Sequence, residues 1–250
     1  MTLSQKTLDE RLVYPCRYFD SVDSTNDIAM QWLQEGAVSG SVVIADEQRQ
    51  GKGRKGRTWY TPPKVALAMS VILKPSPENA NRISMIGAVA VYDLCESVGA
   101  KNIGIKWPND VQINGKKVSG ILPEAAWDTG KLLGVVLGLG VNVRVKFEGE
   151  LAQTATSLEN EIEQSLDRIE LLVTLMNRID YWMARINNPE LFDIWKSRLN
   201  TIGQQVEVDG IVGQAQGVDE GGALLITVAD GSIKRVLAGD VSLLPPQNEG

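Results

Sequence analysis

Short runs of apolar residues, typical of strands, alternate along the chain with longer segments in which apolar residues recur every three or four positions, the spacing of a helix. The longest of these segments cover residues 79–98 and 166–186. A shorter helix is predicted to begin near Ser24, because serine and its neighbours are good N-cap residues and apolar positions follow at helical spacing. Another is predicted to begin at Pro189 and to end near residue 199.

The strand-like runs are unevenly spaced, and seven of them precede residue 200: 14–19, 41–45, 65–73, 103–107, 111–113, 118–126 and 132–145. The Asn-Gly pair at 114–115 is a strong signal for a hairpin. Because strands and helices do not alternate as a βαβ series, the pattern predicts an α+β fold with a mixed β-sheet packed against helices.

The last fifty residues have a different pattern. Four short strands are predicted at 205–208, 211–218, 223–228 and 233–237, separated by Asp-Gly and Glu-Gly-Gly turns. This alternation, which continues to residue 246, is typical of a small barrel or sandwich. We therefore predict two domains, over residues 1–200 and 201–250.

Composition excludes several kinds of chemistry. The chain has 250 residues, a formal net charge of −6 and no histidine, so a Ser-His-Asp triad is excluded and a zinc site is disfavoured. The acidic balance argues against a surface that binds nucleic acid. Cys16 and Cys95 lack CxxC spacing and are expected to be buried thiols. Without a signal-peptide pattern or a long apolar run, we expect a cytoplasmic protein that does not contact membranes.

The most informative motif lies in the polar stretch between residues 46 and 63, which is too long for a tight turn. Residues 51–59 read GKGRKGRTW, three glycines among four cationic side chains. Glycines let a backbone approach an anion closely, and cations neutralise phosphate. The spacing matches neither a Walker A loop nor a dinucleotide fingerprint. Either a phosphate-binding loop or a basic surface loop fits the composition.

Two further motifs lie on predicted strands. Residues 106–110 read KWPND, and residues 116–122 read KKVSGIL across the predicted hairpin. Adjacent strands of a hairpin can bring the amide, the carboxylate and a lysine of these motifs together, as a nucleotide site requires, although an exposed ion pair is the commoner outcome. Residues 138–142 read GLGVN, which alone indicates little more than close packing.

Together the motifs resemble those of the biotin–protein ligase family. Five blocks occur in the family's order: STN at 24–26, Gln48 followed by GKGRKGRTW, KWPND, KVSGIL at 117–122 and GLGVN. The resemblance spans about residues 15–245. It implies a catalytic domain similar to class II synthetases and a C-terminal domain similar to a Src-homology-3 barrel. It also implies ATP as cosubstrate, magnesium as cofactor and biotin as substrate.

Carried over position by position, the resemblance implies roles for sixteen residues. The implied biotin-binding residues are Ser24, Thr25, Asn26, Gln48, Lys52, Gly53, Arg54, Lys117, Gly120, Ile121 and Leu122. The implied nucleotide-binding residues are Lys52, Arg54, Arg57, Trp59, Asn109, Lys117 and Asn142. Lys117, Arg54 and Asp110 are the implied catalytic residues, and Asp110 is also the candidate magnesium ligand.

Two positions depart from the family pattern. Lys52 stands where the family usually has arginine, which keeps the charge and loses bidentate contact. Pro123, directly after the KVSGIL block, removes a backbone donor and predicts an edge or bulge position.

The resemblance implies a biotin carboxyl carrier protein of acetyl-CoA carboxylase, or of another biotin-dependent carboxylase, as the partner of a monomer or homodimer. Some family members carry an N-terminal DNA-binding module. About twenty residues precede Ser24, so we expect a monofunctional ligase that does not bind DNA. The alternatives are a lipoate or octanoate ligase or transferase of the same superfamily, and a non-catalytic module that binds nucleotide or RNA.

Overall fold

The computed structural model describes residues 3–244 and consists of a large mixed sheet, a small antiparallel sheet and seven α-helices within those residues. The part of the predicted C-terminal domain that covers residues 245–250 lies outside the described residues. Among residues 3–244, none of the helices combines the length and apolar character needed to cross a membrane.

The large sheet has seven strands in the order β1-β2-β3-β7-β6-β5-β4. Their bounds are β1 Cys16–Val22, β2 Val42–Gln48, β3 Ala66–Leu73, β4 Ile103–Lys106, β5 Asp110–Ile113, β6 Lys116–Asp128 and β7 Lys131–Asn142. Only β1 and β2 pair in parallel, and all other neighbours are antiparallel. The predicted α+β class with a mixed sheet is confirmed.

Helices cover both faces of this sheet. Their bounds are α1 Gln5–Arg11, α2 Thr25–Gln34, α3 Arg82–Ser97, α4 Leu151–Thr154, α5 Leu158–Ile162, α6 Arg168–Met183 and α7 Pro189–Ser197. Because side chains alternate along a strand, Val42 and Ile44 of β2 belong to the main apolar core, which also contains α3 and α6. Val43 points to the opposite face, where a smaller cluster packs under α2. The site described below lies on the α2 side of β3 and β7.

The small sheet follows in the order β11-β10-β9-β8-β12. Its strands are β8 Gln205–Val208, β9 Ile211–Val218, β10 Leu224–Thr227, β11 Ile233–Val236 and β12 Val241–Leu243. Its apolar residues, Val206 and Leu224 among them, belong to the same core cluster as those of the large sheet. The Trp107 indole also donates a hydrogen bond to the carbonyl of Gly222 at 2.9 Å. The two sheets are therefore packed together through a shared core.

Several short elements escaped prediction. The sequence pattern missed α1, α4, α5 and β12, which have three to seven residues each and bury too few side chains to show a period. The predicted start of the loop, residue 46, was wrong by three residues, because β2 continues to Gln48. Pro123 pairs with β7, while the ladder with β5 ends at Gly120, so the predicted edge position is confirmed.

The two cysteines differ in their surroundings. Cys95 is fully buried in α3, as predicted, and burial raises the pKa of its thiol to about 12. The expectation was wrong for Cys16, which is partly exposed beside Asp9. Partial burial of its thiol and the neighbouring Asp9 carboxylate raise the pKa of Cys16 to about 11. Both thiols are therefore protonated, and poor nucleophiles, near neutral pH.

A buried ion pair fastens α6 to the large sheet. Arg168 donates to Asp46 Oδ1 at 2.8 Å and to the carbonyl of Ala66 at 3.2 Å. The two charged side chains are only 7% and 5% exposed. Removing one member of such a pair leaves the other charge buried without compensation.

We predict that Arg168→Ala lowers the free energy of unfolding by about 3–5 kcal/mol, because Asp46 loses its partner. Arg11→Ala is the control, since it removes an exposed ion pair with Glu170 on the same turn of α6. That variant should leave stability nearly unchanged. Urea denaturation followed by tryptophan fluorescence measures both, and equal effects of the two substitutions would contradict the prediction.

Candidate functional site

One pocket, about 740 Å³ in volume and partly open to solvent, gathers fifteen of the sixteen residues singled out in the sequence. The predicted residues that line it are Ser24, Thr25, Asn26, Gln48, Lys52, Gly53, Arg54, Arg57, Trp59, Asn109, Asp110, Lys117, Gly120, Ile121 and Leu122. Motifs separated by up to about a hundred residues thus form a single site.

Asn142 is the predicted residue that does not line this pocket. Its side chain is buried and donates a hydrogen bond to the carbonyl of Thr156 at 3.0 Å, which holds the segment after α4 against β7. Asn109 does line the pocket, where its amide donates to the carbonyl of Ile121 at 2.7 Å and accepts from Arg54 at 3.2 Å.

Two glycines of β7 leave room for side chains that pack directly against the strand. A Cβ atom on Gly138 would overlap the Asn26 amide, and one on Gly140 would overlap the indole of Trp59. The GLGVN motif therefore forms part of the pocket wall, a role that its sequence alone did not indicate. Leu139 lies between the two glycines and also lines the pocket.

The end of the pocket beside α2 is a buried polar network. Gln48 Oε1 accepts from the Thr25 backbone N–H at 2.8 Å and lies 3.0 Å from the Thr25 hydroxyl. The Ser70 hydroxyl lies 2.8 Å from Thr25 Oγ1 and 2.6 Å from Asn26 Oδ1. Asn26 Nδ2 donates to Glu124 at 2.6 Å. Side chains from α2, β2, β3 and β6 are thereby held in fixed orientations.

The basic loop forms a small hairpin across the other end. The Trp59 N–H donates to the carbonyl of Gly51 at 2.7 Å, and the Gly53 N–H donates to the carbonyl of Arg57 at the same distance. The tip at residues 54–56 turns tightly, with Gly56 at a φ of +74°, a conformation that favours glycine. Backbone hydrogen bonds therefore fix the conformation of the loop that carries the cationic side chains.

Carboxylates from other parts of the chain hold three cations of this loop. Lys52 pairs with Asp27 of α2, and this hydrogen bond raises the pKa of Lys52. The other partners lie in connections between strands of the small sheet: Lys55 pairs with Asp209 at 2.5 Å, and Arg57 pairs with Asp240 at 2.6 Å.

The small sheet therefore contributes directly to the site. Arg54 donates to the carbonyl of Gly239 at 3.2 Å, beside Asp240. Asp240 itself lines the pocket, although no sequence motif pointed to it. The loop is thus fastened at its tip by residues that connect strands of the small sheet.

Lys117 lies between a carboxylate and an aromatic ring. Its ammonium is 2.7 Å from Asp110 Oδ1 and 5.4 Å from the centre of the Trp59 ring. Nearby, burial lowers the pKa of Lys106, an effect that the charge of Asp110 partly offsets. The pocket thus holds several lysine and arginine side chains next to the polar network. This arrangement is suited to an anionic ligand.

The described residues do not by themselves fit a resident metal centre. Residues 3–244 contain no group of three or more carboxylate, cysteine or histidine side chains able to hold a metal. Asp110, the predicted magnesium ligand, is paired with Lys117. A magnesium ion at this site would need ligands from a bound nucleotide.

Comparisons with known proteins show which family the chain belongs to. The model of the biotin/lipoate A/B protein ligase family matches residues 18–142, and that of the biotin protein ligase C terminal domain matches residues 201–244. The chain therefore belongs to the biotin/lipoate A/B protein ligase family.

Named relatives and a solved structure from that family are similar to most of this chain. It is 34% identical over 234 residues to the biotin--[acetyl-CoA-carboxylase] ligase of Mycobacterium tuberculosis, covering 87% of this chain and 85% of the relative. It is 31% identical to the bifunctional ligase/repressor BirA of Bacillus subtilis, covering 90% and 73%. The biotin protein ligase of Aquifex aeolicus in complex with biotin and ATP superposes with a TM-score of 0.78 at 28% identity, covering 92% and 98%.

We predict that Gly140→Ala displaces the Trp59 indole, because the new methyl group would occupy its position. The affinity of the pocket for its ligands should then fall by about tenfold or more, the cost of a misplaced side chain at a binding site. Calorimetric titration with ATP, the ligand that the resemblance assigns to Trp59, measures this. Gly217→Ala, in strand β9 with open space around the position, is the control and should bind as the wild type does. Equal affinities for all three proteins would contradict the account.

Proposed function

We propose that this protein is an ATP-dependent biotin–protein ligase. One observation carries the proposal: a single pocket contains both a buried network of hydrogen-bonding groups and a cluster of cations. Biotin has the matching halves, a ureido ring that donates and accepts hydrogen bonds and a carboxylate at the end of an apolar chain. The ring would lie against Thr25 and Gln48, and the carboxylate would point towards Lys117.

The first step joins two anions. A carboxylate oxygen of biotin attacks the α-phosphorus of ATP, the bond to pyrophosphate breaks, and biotinyl-5'-AMP and pyrophosphate result. The barrier is mainly the repulsion between the carboxylate and the phosphates, which fixed cations and backbone donors reduce. Lys52, Arg54 and Lys117 are the proposed cations. No proton has to be removed in this step, which agrees with a histidine-free chain.

The second step transfers biotin to the acceptor. The neutral amine of a carrier lysine attacks the acyl carbon of the mixed anhydride, AMP leaves, and the new amide nitrogen loses a proton. Asp110 lines the pocket beside Lys117 and is the proposed residue that orients the amine or accepts the proton. Relatives named as ligases of biotin to acetyl-CoA carboxylase support its biotin carboxyl carrier protein as the acceptor, with another biotin-dependent carboxylase as the alternative.

Magnesium would enter with ATP, held mainly by the phosphates. A cytoplasmic location, the absence of DNA binding and the choice between monomer and homodimer stay predictions.

Transfer of label to a carrier domain tests the proposed function directly. The protein is incubated with ATP, the carrier domain and either labelled biotin or labelled lipoate. Label from biotin on a single carrier lysine supports the proposal. Preferential use of lipoate would favour the lipoate ligase of the same family, and nucleotide binding without any transfer would favour a non-catalytic module.

We predict that Arg54→Gly releases biotinyl-5'-AMP into solution and labels bystander lysines, because the pocket loses a charge that retains the anionic intermediate. Arg54 also holds Asn109 and the small sheet, so its loss loosens the loop. Arg49→Gly is the matched control, since Arg49 is exposed, pairs with Asp23 and does not line the pocket. Chromatography of the free adenylate measures release, and equal retention by Arg54→Gly and wild type would refute the assignment.

We predict that Asp110→Asn slows transfer to the carrier by about 100-fold, a usual contribution of a positioned acid or base. Adenylate formation should fall much less, because that step transfers no proton. Single-turnover measurements separate the two: pyrophosphate release reports the first step and carrier labelling the second. Wild-type rates in both would show that Asp110 has neither proposed role.

A further inference from the structure

Ser70 is a buried residue that no motif includes and that does not line the pocket. It lies on β3 with an exposed fraction of 0%, and its hydroxyl reaches both Thr25 and Asn26. A buried hydroxyl group that contacts residues of a ligand pocket affects the ligand through the side chains that it orients.

The hydrogen atoms of this network determine what it can offer a ligand. The amide oxygen of Asn26 can only accept, so the single hydroxyl hydrogen of Ser70 is donated to it across 2.6 Å. The hydrogen of the Thr25 hydroxyl then goes to Gln48 Oε1 at 3.0 Å or to Ser70 Oγ at 2.8 Å. In both arrangements a protein group takes that hydrogen, and the hydroxyl oxygen of Thr25, a residue that lines the pocket, is left as an acceptor.

Asn26 is held in one orientation by the same network. Its Nδ2 hydrogens are donated to Glu124 at 2.6 Å and to the carbonyl of Leu122 at 3.3 Å. With Ser70 donating to the oxygen, both Nδ2 hydrogens and one lone pair of this amide have protein partners, and Gly138 leaves room for it. The side chain thus lines the pocket in one fixed orientation, and its direct contact with biotin stays a prediction.

We propose that Ser70 is a positioning residue that determines specificity, because it fixes Thr25 as a hydrogen-bond acceptor facing the pocket. An acceptor there suits the N–H groups of a cyclic urea. A fatty-acyl or dithiolane tail has no N–H group and would leave a buried acceptor unpaired, which a binding site penalises strongly. The inference rests on the proposed function and concerns how the same pocket selects its acid.

Steady-state adenylation, followed by ATP–pyrophosphate exchange with biotin or octanoate as the acid, tests this inference. For Ser70→Ala we expect the KM for biotin to rise about tenfold, because Asn26 and Thr25 lose their orientation. The kcat and the KM for ATP should change less than about twofold. The preference for biotin over octanoate should fall by about the same factor as the KM rises.

Ser41→Ala is the matched control. Ser41 is also 0% exposed, its hydroxyl has no hydrogen-bond partner among residues 3–244, and it does not line the pocket. This control should keep wild-type kinetics and wild-type preference. An unchanged KM for biotin in Ser70→Ala, or equal changes in the two alanine variants, would overturn the role of Ser70. A wild-type protein inactive with biotin would instead overturn the proposed function, and the inference with it.

Ser70→Cys covers the case in which the alanine variant does not fold. The thiol is larger than the hydroxyl and is a weaker donor. We expect a KM for biotin between those of wild type and Ser70→Ala, or, if only the cysteine variant folds, at least about threefold above wild type. A thiol variant with the wild-type KM and the wild-type preference would also contradict the inference.

Discussion

Cations can bring two anions together only if something holds those cations in place, and here distant carboxylates of the same chain do so. Asp27 of α2 holds Lys52, while Asp240 of the small sheet holds Arg57. These pairs are exposed enough to add little to stability. Instead, they fix the position of the loop, so that its like charges are held in one arrangement over the pocket.

The position of Asp240 depends in turn on how the two sheets pack. The small sheet shares its apolar core with the large sheet, and Trp107 is hydrogen-bonded to it. Packing far from the pocket therefore sets where the loop is fastened. This packing also brings Asp240 into the pocket wall.

Local sequence signals predicted much of this structure. The longer helices, the central strands and the motifs that converge in the pocket were all predicted, because each is recorded in a short run of residues. The partners Asp209 and Asp240 could not be found in this way, since about 150 or more residues separate them from the loop. Ser70 was missed because a serine within an apolar strand resembles any other small residue. The buried side chain of Asn142 shows that a motif can be matched while one of its members packs outside the pocket.

The central claim is that biotin is activated as a mixed anhydride with AMP in this pocket and then transferred. Biotin labelled with ¹⁸O in both carboxylate oxygens tests it most directly, with mass spectrometry of the nucleotide and phosphate products after complete transfer to the carrier. Attack of a carboxylate oxygen on the α-phosphorus predicts one ¹⁸O atom in each AMP and none in pyrophosphate. Label in phosphate or pyrophosphate, or unlabelled AMP, would contradict the account.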